Sequence, residues 1–192
     1  MDALKHPNIA PFASRIQDAA ADHELPAALV AAIVLQESAG DPWAWNPEPH
    51  YRYLVDVATG EPFRTLTPEE RLSQVPPKDF PCLAGDRDAE WWGQQASWGL
   101  MQVMGAVARE LGMNPREHLP KLCDPLLNLD LGCKHLANLR RRFQRTHWWR
   151  GVVAAYNAGQ PRYDNTGVTF VNQRYLDGIE RFGGFNFAGF TA

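Results

Sequence analysis

One glutamate is the strongest candidate for acid–base chemistry, because it lies inside an apolar helical pattern. Glu37 follows Leu29, Val30, Ile33 and Val34 at helical spacing, so the carboxylate and four apolar side chains share one predicted helix face. Burial disfavours a charged carboxylate and raises its pKa, which leaves a group that can donate a proton near neutral pH. The alternative is a glutamate at the helix end that turns to solvent.

The helix that carries Glu37 has limits that the sequence marks. Pro26 suits a first helical turn, where the missing N–H has no partner to lose, and Gly40 followed by Pro42 ends the pattern. We therefore predict one helix of about four turns over 27–40. An opening helix is predicted at about 14–23.

Helical patterns return after Ser97. Residues 97–102 predict a glycine-containing turn that leads into a helix ending at Gly112. Asp124 and Pro125 predict the capped start of the next helix. Two more are predicted, one of small residues at about 149–157, which we expect to be central, and one at about 169–182.

Between these helical parts lies an insertion of about 41–96, rich in proline and aromatic residues and without a sustained helical period. A small hairpin is predicted over 51–65, turning at Thr59–Gly60. Thr67, Pro68 and Glu70 predict the capped start of a short helix. The insertion is expected to form a binding wall or lid, with core packing of its aromatic residues as the alternative.

Length and composition bound the class of protein. The chain has 192 residues, 45% of them hydrophobic and 21% charged, which suits one soluble domain over 1–192 with a sizeable core. No apolar run approaches a membrane span, and the first 18 residues lack the pattern of a secretory signal. Three cysteines without a CxxC pair predict reduced thiols. The arginines at 140–145 suit a helix end, so we expect no nucleic-acid partner.

Three short motifs occur in one order along the chain: Glu37–Ser38, then Gly99–Leu100–Met101–Gln102, then Ala155–Tyr156–Asn157. With them, the chain resembles the soluble lytic transglycosylase (SLT) domain, which is related to goose-type lysozyme. Asp124–Pro125, Asn128 and Gly132 also fit that family, and the resemblance covers about 25–182, less the insertion. It implies a mainly α, lysozyme-like fold, an α+β bundle of helices around a substrate cleft.

The resemblance implies a reaction on peptidoglycan. In that family the glutamate matching Glu37 is the only catalytic acid and base. It protonates the glycosidic oxygen between N-acetylmuramic acid (MurNAc) and N-acetylglucosamine (GlcNAc), and then accepts the proton of the muramic C6 hydroxyl as that oxygen closes onto C1. The product carries a 1,6-anhydro ring and no water is consumed. Peptidoglycan glycan strands are thus the expected partner of a monomer that needs no cofactor and no metal.

The resemblance also implies roles for further residues. Ser38 would contact the sugar near the cleavage point, with a polar helix end as the alternative. Met101 and Gln102 would line the cleft, Gln102 as an amide partner of an N-acetyl group. Tyr156 and Asn157 would present their polar ends to the cleft. Tyr175 would orient the catalytic glutamate, with a core tyrosine as the alternative.

The chain departs from the family pattern in two places, and the second keeps other functions open. Val171 and Asn172 occupy positions where many members carry a Glu–Thr pair, and the interval from Glu37 to Gly99 is unusually long. The insertion contributes acidic residues that could activate water opposite Glu37 and make the enzyme a hydrolysing muramidase (lysozyme): Glu48, Asp56, Asp86, Asp88 and Glu90. A non-catalytic glycan-binding protein is the third possibility. Because the sequence shows no secretory signal, we expect the protein to reach the cell wall either by release as a phage endolysin or by a specialised secretion route.

Overall fold

The computed structural model describes residues 2–190, and the chain divides into two compact units. Unit 1 consists of Met1–Asp41 with Gly132–Ala192, and unit 2 is Pro42–Leu131. The boundary after Asp41 coincides with the predicted start of the insertion. The assignment of 1–192 as a single domain stays a prediction.

Helices dominate the described residues, as the sequence predicts, and one small sheet accompanies them. The helices are α1 (Ala13–Asp22), α2 (Ala27–Ser38), α3 (Pro68–Leu72), α4 (Arg87–Gln94), α5 (Gly105–Glu110), α6 (Pro125–Ala158) and α7 (Gln173–Arg181). Short 3-10 turns cover Ala3–Lys5, Ala10–Phe12 and Leu119–Cys123. The strands are β1 (Trp45–Pro47), β2 (Ala96–Trp98) and β3 (Val103–Met104).

Helix α2 is the central helix of unit 1. Seven consecutive residues, 29–35, are buried, so burial surrounds the helix and is not confined to the one face that its spacing predicted. It ends at Ala39, which has a left-handed φ of 53°. Glu37 therefore lies in the last turn of a helix whose preceding turns are fixed by the core.

The C-terminal helices of unit 1 differ from prediction in their limits. Helix α6 is broken at Trp148 (φ 55°, ψ −170°), and the predicted small-residue helix is its segment after this break, where 151–155 are buried. Helix α7 starts at Gln173, later than the predicted 169. The cause is a loop around Asp164, whose carboxylate accepts hydrogen bonds from the hydroxyls of Thr166 and Thr169.

Unit 2 contains an antiparallel sheet in the order β1-β2-β3. Trp45 pairs with Trp98 across β1 and β2, and Trp98 pairs with Val103 across β2 and β3. The turn between β2 and β3 holds the Gly99–Gln102 motif. The sequence predicted this turn, but not the pairing with β1.

The insertion packs around its own apolar cluster of Leu54, Leu66, Phe80 and Trp91. The predicted hairpin is reduced to an isolated bridge between Val55 and Pro62.

The predicted capping box of α3 is confirmed, with Thr67 and Glu70 bonded reciprocally. Helix α4 was missed, because the insertion lacks a sustained helical period; its signal is the N-cap Asp86, which accepts from the Ala89 N–H.

A buried ion pair joins α4 to α5 within unit 2. The Arg109 guanidinium contacts the Glu90 carboxylate at 2.7 Å, and the two side chains are 1% and 2% exposed. Beside them, the Gln94 amide bonds both Glu90 and the backbone of Val55. Each buried polar group in this set therefore has a partner, which offsets the cost of removing the charges from water.

None of the three cysteines forms a disulfide within the described residues, as the sequence predicts. Within residues 2–190, no helix has the length and apolar character that crossing a membrane requires.

Candidate active site

Glu37 combines a partly buried position with a strongly perturbed pKa. Burial raises the pKa of its carboxyl and a hydrogen bond from Tyr175 offsets part of this effect, so that the pKa lies at about 7 instead of the ordinary 4.5. At neutral pH the protonated and ionised forms of Glu37 are therefore both well populated. Such a group can donate a proton and then take one back.

Tyr175 is the direct partner of Glu37. Its hydroxyl donates to Glu37 Oε1 at 2.6 Å, from the first turn of α7 to the last turn of α2. The close approach of these helices is visible one turn later, where a Cβ on Gly178 would lie 2.0 Å from Gln36 Oε1. Burial and the nearby carboxylate both raise the pKa of Tyr175, so the phenol keeps its proton and remains a donor.

Tyr156 is the second tyrosine of this group. Burial raises its pKa well above 10.0, and the charges of Glu37 and Cys133 add to the effect. The ring of His135 lies 5.4 Å from the Tyr156 ring, between centroids, and burial lowers the pKa of His135 to about 4. His135 is thus neutral at pH 7 and gives Glu37 no positive counter-charge.

Asn157 is exposed at the end of the same helical segment. Asn172 donates to Asn157 Oδ1 at 2.9 Å and to the carbonyl of Ala154 at 3.0 Å. Asn172 is the position at which the chain departs from the family's Glu–Thr pair. It ties the loop before α7 to the Ala155–Asn157 motif, a contact that the sequence did not reveal.

Ser38 closes the end of α2. Its hydroxyl donates to the carbonyl of Val34 and accepts from the N–H of Gly40, both at 3.1 Å. These bonds correspond to the polar helix end that was the alternative for this residue. Its predicted contact with sugar is not tested by them and stays a prediction.

Met101 and Gln102 belong to unit 2, where their turn is firmly held. Both amide hydrogens of Gln102 are used, since Nε2 donates to the carbonyls of Ala44 at 3.1 Å and Gly99 at 3.0 Å. Its Oε1 accepts from the Ser97 hydroxyl at 2.9 Å. The Met101 side chain is fully buried, so contact with a sugar would require its exposure. The roles of both residues stay predictions.

The buried amide of Asn128 organises this turn. Its Oδ1 accepts from the Met101 N–H at 2.8 Å, and its Nδ2 donates to the carbonyls of Trp98 and Leu122. Gly99 has a φ of 69°, and a Cβ there would lie 2.5 Å from the Leu122 oxygen. The glycine is therefore required by backbone geometry.

Most acidic residues of the insertion form local hydrogen bonds or an ion pair. Glu90 is in the buried ion pair with Arg109, and Asp86 caps α4. Asp56 accepts from the N–H groups of Ala58 and Thr59 in the turn of the insertion. Glu48 accepts from the Asn46 side chain, and Asp88 is an exposed residue of the first turn of α4.

The structure thus brings Glu37, Tyr156 and Tyr175 together in unit 1, with Ser38 beside Glu37 in sequence and Asn157 beside Tyr156. Met101 and Gln102 lie in unit 2. Across residues 2–190, no cluster of three or more His, Cys, Asp or Glu side chains could hold a metal ion.

Comparison with known proteins identifies the family. The family model described as "Transglycosylase SLT domain" matches residues 14–172. No curated protein and no solved structure matches the chain. The match and the mainly α structure confirm the lysozyme-like fold class, and at the family level they indicate a lytic transglycosylase type of function on cell-wall peptidoglycan. The chain belongs to the transglycosylase SLT domain family.

Proposed function

We propose that the protein is a lytic transglycosylase that cleaves the β-1,4 bond between MurNAc and GlcNAc and leaves a 1,6-anhydro-MurNAc end. Glu37 is the single acid and base of this reaction. In the first half, its carboxyl proton moves to the glycosidic oxygen as the bond from that oxygen to C1 breaks. GlcNAc leaves as the alcohol.

In the second half, the Glu37 carboxylate accepts the proton of the muramic C6 hydroxyl. The oxygen of that hydroxyl forms the new bond to C1, so the proton count of Glu37 is restored and no water enters. One residue must therefore be a competent acid and then a competent base, which requires a pKa near the working pH.

The observation that supports this proposal best is the environment of Glu37. Burial raises its pKa to about 7, and the Tyr175 hydroxyl at 2.6 Å fixes one carboxylate oxygen. Tyr175 acts here as a positioning residue. Because a hydrogen bond is strongest to the ionised carboxylate, it also stabilises Glu37 between the two proton transfers.

The same proposal assigns the other site residues. Tyr156, within electrostatic reach of Glu37, and the exposed Asn157 are proposed to contact the sugars, as is Ser38. Met101 and Gln102 are proposed to shape the substrate site through the turn that their backbone and amide bonds hold.

The local contacts of the acidic residues in the insertion favour a lyase outcome over hydrolysis. Glu90 neutralises a buried arginine, while Asp56 and Asp86 cap a turn and a helix. A carboxylate that activates water must be directed at that water, and the local contacts of these three residues engage their carboxylates within unit 2. Glu48 and Asp88 remain the candidates for a muramidase.

Replacement of Glu37 tests the proposal. Glu37→Gln keeps the size and polarity of the side chain but cannot transfer a proton, so clearing of purified peptidoglycan should be lost. Glu69→Gln changes an exposed glutamate of α3 and should leave clearing unchanged. Full clearing by Glu37→Gln would contradict the proposal, and glycan binding by the wild-type protein without released fragments would indicate the non-catalytic alternative.

A further inference from the structure

Unit 2 contains a cavity of about 710 Å³ within the insertion. It is lined by 52–55 and 60–66, together with Arg71 and Glu110. No residue of the predicted catalytic site is among them. Its size is within the range of sites that bind small molecules.

Three arginines line this cavity, and their charges are compensated to different extents. Arg64 is neutralised, since it contacts the carboxylates of Glu70 and Asp79 at 2.7 Å each. Arg52 and Arg71 have no carboxylate partner among the described residues. The cavity therefore contains two guanidinium groups that form no ion pair with a described carboxylate.

Arg52 is held rigidly. Its guanidinium donates to the carbonyls of Pro49, Tyr51 and Arg71 and to the side-chain oxygen of Gln95. All four acceptors are neutral. The charge of Arg52 thus persists inside a wall of the cavity that cannot rearrange without loss of these bonds.

Arg71 supplies the second charge. Its Nε donates to the carbonyl of Leu66 at 3.2 Å, and its two terminal nitrogens have no partner among the described residues. Burial lowers the pKa of Arg52, and the charge of Arg71 lowers it further, so the two cations are within electrostatic reach of each other. Like charges held together in this way favour the binding of an anion between or beside them.

The cavity also offers negative charge and an aromatic surface. The carboxylates of Glu61 and Glu110 line it, and no described residue forms an ion pair with either one. Tyr53, another lining residue, is 82% exposed. A ligand that matches this set carries free carboxylates and a free amino group on a short, partly apolar backbone.

We propose that this cavity binds the stem peptide of peptidoglycan, with Arg52 and Arg71 contacting its carboxylates and Glu61 or Glu110 contacting its amino group. The proposal rests on the proposed function, because short peptides with free carboxyl and amino groups are attached to the glycan that the enzyme cleaves. The insertion would then select peptide-bearing strands over bare glycan.

Two substrates from one preparation test this: soluble peptidoglycan strands with their stem peptides, and the same strands after an amidase has removed the peptides. The wild-type protein should cleave the peptide-bearing strands with the higher kcat/KM. Arg71→Ala should lower kcat/KM on peptide-bearing strands about tenfold, the order of one charge-assisted hydrogen bond, and leave it unchanged on bare strands. Arg52 is unsuitable, because its bonds support the insertion.

Arg116→Ala is the matched control, since it removes an exposed arginine of unit 2 outside the cavity. Arg71→Lys should keep part of the preference, because the charge remains without the planar donor pair. Equal kcat/KM on both substrates, or equal effects of Arg71→Ala on both, would overturn the proposal while leaving glycan cleavage intact. Cleavage of neither substrate would instead show that the proposed function is wrong.

A binding measurement separates the peptide from simple anions. Calorimetric titration with the free stem peptide should give a binding signal that Arg71→Ala weakens about tenfold and Arg116→Ala does not change. Inorganic phosphate should compete only weakly, because it lacks the amino group. Competition by phosphate at the same concentration as the peptide would identify a general anion site and overturn the assignment to peptide.

Discussion

Replacing Tyr175 with phenylalanine removes one hydroxyl and one hydrogen bond, the 2.6 Å contact to Glu37 Oε1. A hydrogen bond to a charged group contributes about 1.5–3 kcal/mol, whereas a neutral pair contributes about 1 kcal/mol. The substitution therefore destabilises the ionised form of Glu37 by about 1.4 kcal/mol more than it destabilises the protonated form. This difference raises the proton affinity of Glu37 about tenfold, in addition to the effect of burial that already raises its pKa to about 7.

The assay is the pH dependence of kcat/KM on soluble peptidoglycan. The first proton transfer needs protonated Glu37, so kcat/KM should fall as pH rises through the pKa of this residue. In Tyr175→Phe that decline should move upward by about one pH unit. Tyr163→Phe, which removes the hydroxyl of a partly exposed tyrosine elsewhere in unit 1, should leave it in place. An unchanged decline in Tyr175→Phe, or one at lower pH, would refute the reasoning.

Three further changes test the energetics. Between pH 4.5 and about 7 the unfolded chain ionises Glu37 while the folded protein keeps it protonated, so wild-type stability falls over this range. In urea unfolding, the free energy of unfolding of Glu37→Gln relative to that of wild type should therefore rise by about 3 kcal/mol from pH 4 to pH 8. The same difference between the two proteins at both pH values would contradict the pKa of Glu37. Arg109→Ala should lower the free energy of unfolding by about 3–5 kcal/mol, because it leaves a buried carboxylate unpaired, whereas Lys121→Ala, in an exposed pair, should cost less than about 1 kcal/mol. Gly99→Ala should lower the melting temperature more than Gly60→Ala, since both glycines have positive φ but only Gly99 has a carbonyl oxygen, 2.5 Å away, where the Cβ would lie.

The sequence predicted the parts of the molecule that depend on local pattern. The start of α2 at Ala27, the capping box at Thr67 and the start of α6 at Pro125 follow from spacing and caps, and the structure confirms them. Helix α2 ends at Ser38, two residues before the predicted limit at Gly40. The glutamate on an apolar helix also pointed to a raised pKa, because burial acts on Glu37 whatever surrounds it.

Features that depend on distant partners were not accessible in this way. Strand β1 is three residues long and exposed, and it exists because β2 offers it a partner. Gln102 was expected to offer its amide to a ligand, but the fold places two carbonyls within reach of its Nε2. The Asn172 bond to Asn157 joins a loop to a helix across 15 residues, and no periodicity predicts such a contact.

Product analysis in water enriched in heavy oxygen tests the central claim, that Glu37 alone completes the reaction with the sugar's own hydroxyl. Wild-type protein and peptidoglycan are incubated in the labelled water, and the released muropeptides are analysed by mass spectrometry. The account predicts anhydro ends, each one water lighter than a reducing end, with no label incorporated. Reducing MurNAc ends that carry one heavy oxygen from the solvent would contradict it and establish the muramidase.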